Sequence, residues 1–165
     1  MIILGIDVPG KYVGGYGVYD SKKDKMLQSM AIVFSERDTE QAHYRQLGNL
    51  VLDMERKYHI EAVTMEHPFL YRIAQWIGGL KMFLAYNRPE IPWVMVTTSS
   101  AQKRVYGHAL KETRVNRNGR TVRANKEYVL ADMQKRFSQK TLTQHQADAL
   151  LYAMAGARYL ENRNG

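Results

Sequence analysis

The opening stretch Ile2-Ile3-Leu4-Gly5-Ile6-Asp7-Val8-Pro9-Gly10 constrains the fold more than any other part of the chain. An apolar run of strand-forming residues carries one carboxylate to its end and is then broken by Pro9 and Gly10. Such a run predicts a buried strand. A carboxylate on a buried strand is costly unless something meets it there. Two other acidic residues stand where a fold can bring them to the same point. Glu66 ends a second short apolar run, and Asp148 lies early in the last helical stretch.

The chain has 165 residues, enough for one domain with a real core. Its formal net charge of +8 favours a polyanionic partner, nucleic acid first and an anionic membrane second. There is no cysteine, which excludes disulfides and thiolate metal sites and suits a reducing compartment. Met1 leads directly into the first strand, no signal-peptide pattern fits, and no apolar run is long enough to span a membrane. These features predict a cytoplasmic protein without a membrane partner.

Taken in order, residues 2–8 read as the first strand. Gly14, Gly15 and Gly17 suggest a flexible turn into a second strand at Val18 and Tyr19, and Met26 to Phe34 reads as a third. Short connections between them suggest an antiparallel meander. Asp38 with Gln41 resembles a capping box, and Leu47, Leu50, Val51, Met54 and Tyr58 follow at helical spacing. Glu61 to Met65 is a short strand that places Glu66 at its end. Residues 71–86 form a helix with two apolar faces, Ile73, Ile77, Leu80 and Leu84 on one, and Ala74, Gly78, Met82 and Ala85 on the other. Ile91 to Val96 is a fifth strand, and Ser99 or Ser100 caps a short helix over Ala101 to Tyr106. Residues 107–121 form a basic loop or hairpin around Asn118-Gly119. Val122 to Phe137 is helical, and Thr143 with Gln146 is a capping box for a final apolar helix, with a polar tail from Glu161. The order predicts an α/β domain spanning 1–165: a five-stranded mixed sheet, three antiparallel strands then two parallel, flanked by helices.

In such a sheet the first and fourth strands as parallel neighbours would bring Asp7 and Glu66 to one carboxyl edge, where ligand sites gather. His145 and Asp148, three apart, share a face of the last helix near its N-terminus, where the dipole favours a carboxylate. Singly, each residue has an ordinary reading. Asp7 suits a turn, Glu66 a solvated strand end, Asp148 a helix first turn, and His145 a surface position. Together, three carboxylates invite a hard cation with oxygen ligands, Mg²⁺ first. Two such ions about 4 Å apart serve phosphodiester cleavage.

Leu4-Gly5-Ile6-Asp7-x-x-Gly10 with Gly15-Tyr16-Gly17-Val18 resembles the opening of the RuvC-like Holliday junction resolvases. Glu66 with Phe69 beyond it is similar to that family's second acidic segment, Ser100, Ala101 and Lys103 to its basic segment, and Gln146-Ala147-Asp148-Ala149-Leu150 to its final acidic helix. Sugar kinases and actin-like ATPases share the Gly-Ile-Asp start, so the ordered set carries the resemblance. It implies a ribonuclease H-like fold, a homodimer, and Mg²⁺-dependent symmetric nicking of four-way DNA junctions, with Mn²⁺ able to substitute. It also implies Asp7, Glu66 and Asp148 as metal-binding catalytic residues. His145 stands where many members carry a fourth acid, as a metal ligand or a proton shuttle. The basic stretch 107–121 is longer than the family's usual connection, as in a phage-type elaboration.

Around this centre, Phe69 reads as a wedge or stacking platform for a base, or as a core aromatic. Lys103, Arg104, Lys111, Arg114, Arg117 and Arg120 read as phosphate contacts, which position DNA without reading its sequence. The small-residue face of helix 71–86 is the candidate dimer patch. Competing readings are an RNA-processing nuclease of the YqgF type, a junction-binding protein that does not cut, and an actin-like ATPase or sugar kinase. The last usually needs two such domains.

Overall fold

A computed structural model describes residues 1–9, 12–67, 71–110, 113–115, 118 and 121–164. β1 (Ile2–Asp7), β2 (Val13–Asp20) and β3 (Lys25–Val33) form an antiparallel meander. β4 (Ala62–Glu66) runs parallel to β1, and β5 (Trp93–Val96) parallel to β4. The sheet order is β3-β2-β1-β4-β5, the mixed arrangement expected from the sequence.

Alternation along the strands divides the core in two. Leu4, Ile6, Val63 and Met65 face α1 (Glu40–Tyr58) and α2 (Tyr71–Asn87), meeting Leu47, Val51, Trp76, Leu80 and Leu84. Ile3, Ala62, Val94 and Val96 face α3 (Thr98–Tyr106), α4 (Ala124–Arg136) and α5 (Gln144–Asn164). Between α3 and α4, β6 (Arg114–Val115) and β7 (Thr121–Val122) pair as a short antiparallel ribbon inside the predicted basic stretch.

The middle of α5, residues 147–157, is buried all round and apolar but for Asp148: Ala147, Ala149, Leu150, Leu151, Tyr152, Ala153 and Ala155 are fully enclosed. It lies unusually close to the sheet, and two glycines make room. A Cβ on Gly5 would overlap the Ala149 carbonyl and Ala153, and one on Gly15 would overlap the backbone of His145 and Gln146. Gly14, Gly15 and Gly17 are therefore strand residues of β2 and not the turn expected from local sequence.

Three further boundaries differ from expectation. Thr39, not Asp38, caps α1 by accepting from the Ala42 N–H. Thr97, not Ser99 or Ser100, caps α3 by accepting from the Ser100 N–H. In each case an adjacent hydroxyl or carboxylate competed for the same role. The C-terminal polar residues continue α5 to Asn164. The Thr143–Gln146 capping box is present: the Thr143 N–H donates to Gln146 Oε1 at 2.8 Å, and the Gln146 N–H donates to Thr143 Oγ1 at 3.4 Å. Among the described residues no helix is long and apolar enough to cross a membrane.

Candidate active site

The register of β1 against β4 pairs Ile6 with Met65, so Asp7 and Glu66 end adjacent parallel strands at the carboxyl edge of the sheet. Asp7 follows Ile3 and Gly5 on the face that α5 covers. The capping box starts α5 at that same edge, and the close approach at Gly15 sets His145 over the end of β1. His145 Nδ1 lies 2.5 Å from Asp7 Oδ2. One helical turn on, Asp148 reaches the same space. Its carboxylate is 2 % exposed, accepts from Gln144 Nε2 at 3.1 Å, and forms an ion pair with Lys126 Nζ at 2.5 Å.

Glu66 is half-buried and accepts from the Thr98 hydroxyl, which lies 3.3 Å from Tyr152 Oη. Tyr152 follows Asp148 by four residues on the same helix face and is fully enclosed. Its phenol is held well above its ordinary range, first by burial and then by the charges of Glu66, Asp7 and Asp148. Asp148 is itself raised by burial, against the opposing pull of Lys126, and the nearby Asp7 raises it further. The Asp7 hydrogen bond raises His145, partly offset by burial. Beside this cluster a cavity of about 620 Å³ is lined by Glu66, Thr97, Thr98, Ser99, Thr113, Arg123, Asn125 and Lys126.

No family model and no curated protein matches the sequence. The fold does have close counterparts. Thermus thermophilus RuvC in complex with a Holliday junction substrate aligns with a TM-score of 0.72 at 21% identity, covering 98% of this chain and 96% of that one. The chain has the ribonuclease H-like fold of the RuvC resolvases. Fowlpox virus resolvase, solved with Holliday junction DNA, aligns at TM-score 0.59 and 14% identity over 97% of this chain and 99% of its own. The yeast mitochondrial Holliday junction resolvase Ydc2 aligns at 0.53 and 17% over 98% and 81%.

On this RuvC-like fold Asp7, Glu66, His145 and Asp148, named from sequence, converge on one edge. The side chains are engaged with neighbours: Asp7 with His145, Glu66 with Thr98, and Asp148 with Lys126. Among the described residues no three acidic or histidine side chains stand close enough together to hold one ion as they are placed. The donor chemistry nevertheless suits a hard divalent cation, since the three acids supply only oxygens. The Lys126 ammonium already stands as a cation against the most buried of them.

Of the predicted DNA contacts, Lys103 is exposed and Arg104 half-buried on α3. Arg114 lies in β6. Phe69, Lys111, Arg117 and Arg120 lie outside the described residues. Sequence reasoning missed Lys126, Arg123, Thr98 and Tyr152. For Tyr152 a signal existed, its spacing of four from Asp148. For Lys126 the only local signal was a basic residue opening α4.

Lys126 is the countercharge of a buried carboxylate, and its own side chain is 27% exposed. In metal-free buffer Lys126→Met should lower stability by about 1–3 kcal/mol in urea denaturation, and adding Asp148→Asn should recover most of it. A Lys126→Met variant as stable as the parent would contradict this pairing.

Proposed function

We propose that the protein is a divalent-metal-dependent endonuclease that nicks branched DNA, four-way junctions foremost, as a homodimer acting through a single nuclease domain. The observation that carries this reading is that Asp7 and Glu66 end adjacent parallel strands at the edge where α5 brings His145 against Asp7 and buries Asp148, in a fold shared with the resolvases. The proteins that share the fold include two solved with Holliday junctions.

In this reading Asp7, Glu66 and Asp148 hold Mg²⁺, with Mn²⁺ able to replace it. When bound, the metal supplies Lewis-acid charge and an activated water for phosphodiester hydrolysis. The chain's own groups do the rest. Thr98 orients Glu66, and the enclosed Tyr152 packs its hydroxyl against Thr98. Lys126, at the cavity wall beside Asp148, would neutralise the phosphate under attack. His145 holds Asp7 in place and passes a proton to or from the edge of the site. Arg123 and Lys103 hold flanking phosphates, Arg104 contacts the nucleic acid farther along, and a net charge of +8 draws the polyanion to this acidic centre.

A four-way junction has approximate two-fold symmetry, which two identical sites match through an isologous interface. The patch we assign to it is the outer face of α2. Ala74, Gly78, Met82 and Ala85 are exposed there, Met82 by 66%. A Cβ on Gly78 would meet nothing within 4 Å, so nothing within the protomer explains a glycine there. In sedimentation at micromolar concentration the parent should be a dimer and Met82→Arg a monomer. A monomeric parent would remove this interface.

The deciding assay is cleavage of a synthetic four-way junction beside linear, flap and RNA substrates, with and without Mg²⁺. Paired nicks in opposing junction strands that disappear with EDTA are expected. Asp7→Asn should bind the junction with parental affinity and cut it at least about 10²-fold more slowly. Preferred cleavage of RNA would favour the RNA-processing reading, and binding without cleavage a junction-binding protein. Full activity of Asp7→Asn would remove the metal site.

A further inference from the structure

A second cavity, of about 210 Å³, lies at the β5 edge of the sheet and is lined by Trp93, Ser100, Arg104, Tyr159 and Arg163 among others. Its chemistry is cationic and unneutralised. The Arg104 guanidinium lies over the Tyr159 ring at 4.9 Å and that of Arg163 at 5.6 Å, and Arg163 Nη1 donates to Tyr159 Oη at 3.2 Å. Among the described residues neither arginine is paired with a carboxylate. Arg104 Nε is buried with no hydrogen-bond partner. A buried guanidinium N–H without an acceptor is rare enough to call for an explanation. One tyrosine thus contacts two arginines that line the same cavity, and guanidinium donors suit an oxyanion with several acceptors. The backbone beneath is fixed, because Arg158 Nη1 donates to the carbonyls of Arg104 and Val105 and ties the end of α3 to α5.

The position of this pocket relative to the acidic site selects the ligand. The active-site cavity is bordered by Thr97, Thr98 and Ser99, and the second cavity begins at Val96 and Ser100. The two cavities adjoin along α3, where Ser99 borders the first and Ser100, with Arg104 one turn on, borders the second. Arg163 lies fifteen residues beyond Asp148 on α5, about 22 Å along the helix. At about 3.4 Å per phosphate along one strand, that distance spans six or seven nucleotides.

We infer that the Arg104–Tyr159–Arg163 pocket binds a backbone phosphate of the nucleic-acid arm leaving the active site, about six nucleotides from the reacting bond. This inference rests on the proposed nuclease reading and adds a distal anchor to it. An acidic protein segment is the other polyanion that such a pocket suits. The adjoining cavity lined by Arg123 and Lys126, together with the net charge of +8, favours nucleic acid.

The test is fluorescence anisotropy with labelled four-way junctions of two arm lengths, about fifteen base pairs and about five base pairs closed by hairpin loops. Arg163→Gln is the primary variant, because that side chain is exposed and its loss should leave the fold intact. Arg104→Gln is the second. On long arms each should weaken binding about tenfold and reduce the slope of log K against log salt by about one. On short arms Arg163→Gln should bind like the parent. Parental affinity and salt slope on long arms in both variants would overturn the anchor while leaving the nuclease reading intact. Equal losses on long and short arms would also overturn it, since the contact would then lie near the crossover. Loss of binding to a labelled polyglutamate peptide with junction affinity unchanged would reassign the pocket to an acidic protein partner. A parent that binds no junction of either length would instead sink the underlying reading.

Discussion

The contact between α5 and the first two strands underlies everything at the site. Gly5 and Gly15 remove the side chains that would otherwise hold a helix at ordinary distance from a sheet, and the alanines of α5 complete the approach. That closeness lets a helix residue, His145, reach a strand residue 138 positions away at hydrogen-bond distance. It also buries Asp148 almost fully, one turn deeper than His145. A side chain on either glycine would tilt or lift α5 and dissolve the cluster, whatever acids the cluster contained.

Burial on that scale creates an electrostatic problem which the site answers in two ways. Asp148 is compensated by Lys126, brought by α4 from outside the sheet, while Asp7 and Glu66 are compensated by hydrogen bonds from His145 and Thr98. In the proposed function these partners are exchangeable: an ammonium, an imidazole and a hydroxyl would each give way to a divalent cation and a phosphate, with the carboxylates drawing together around the cation. Of the basic residues nearby, Arg123 at the cavity and Lys103 on α3 are exposed, and the proposed function gives them the separate task of meeting a polyanion.

The acidic centre was legible in the sequence because its positions follow local rules. Asp7 and Glu66 end apolar strand runs, and His145 and Asp148 share a face just inside a capping box. The parallel pairing of the first and fourth strands followed from element order. What was not legible depends on tertiary packing. Gly14, Gly15 and Gly17 look locally like a turn, and only a helix more than a hundred residues later shows why they lie in a strand. Thr39 and Thr97 were passed over for neighbouring cap formers of equal local merit. Nothing in the residues around Lys126 announces that it meets Asp148, because that pairing is set by how α4 lies against α5. Tyr152 was not singled out, and its contact with Thr98 beside Glu66 appears only when α3 and α5 are assembled on the sheet.

The measurement that bears most directly on the centre is Mn²⁺ binding by electron paramagnetic resonance, with a four-way junction present and cleavage blocked by a phosphorothioate at the nick site. Asp7→Asn, Glu66→Gln and Asp148→Asn should each lose bound Mn²⁺ by about tenfold or more in affinity, because in the proposed centre all three carboxylates would hold the metal. Undiminished Mn²⁺ binding by Asp148→Asn would mean that the carboxylate on α5 serves only its ion pair with Lys126, and would contradict a metal centre shared among the three segments.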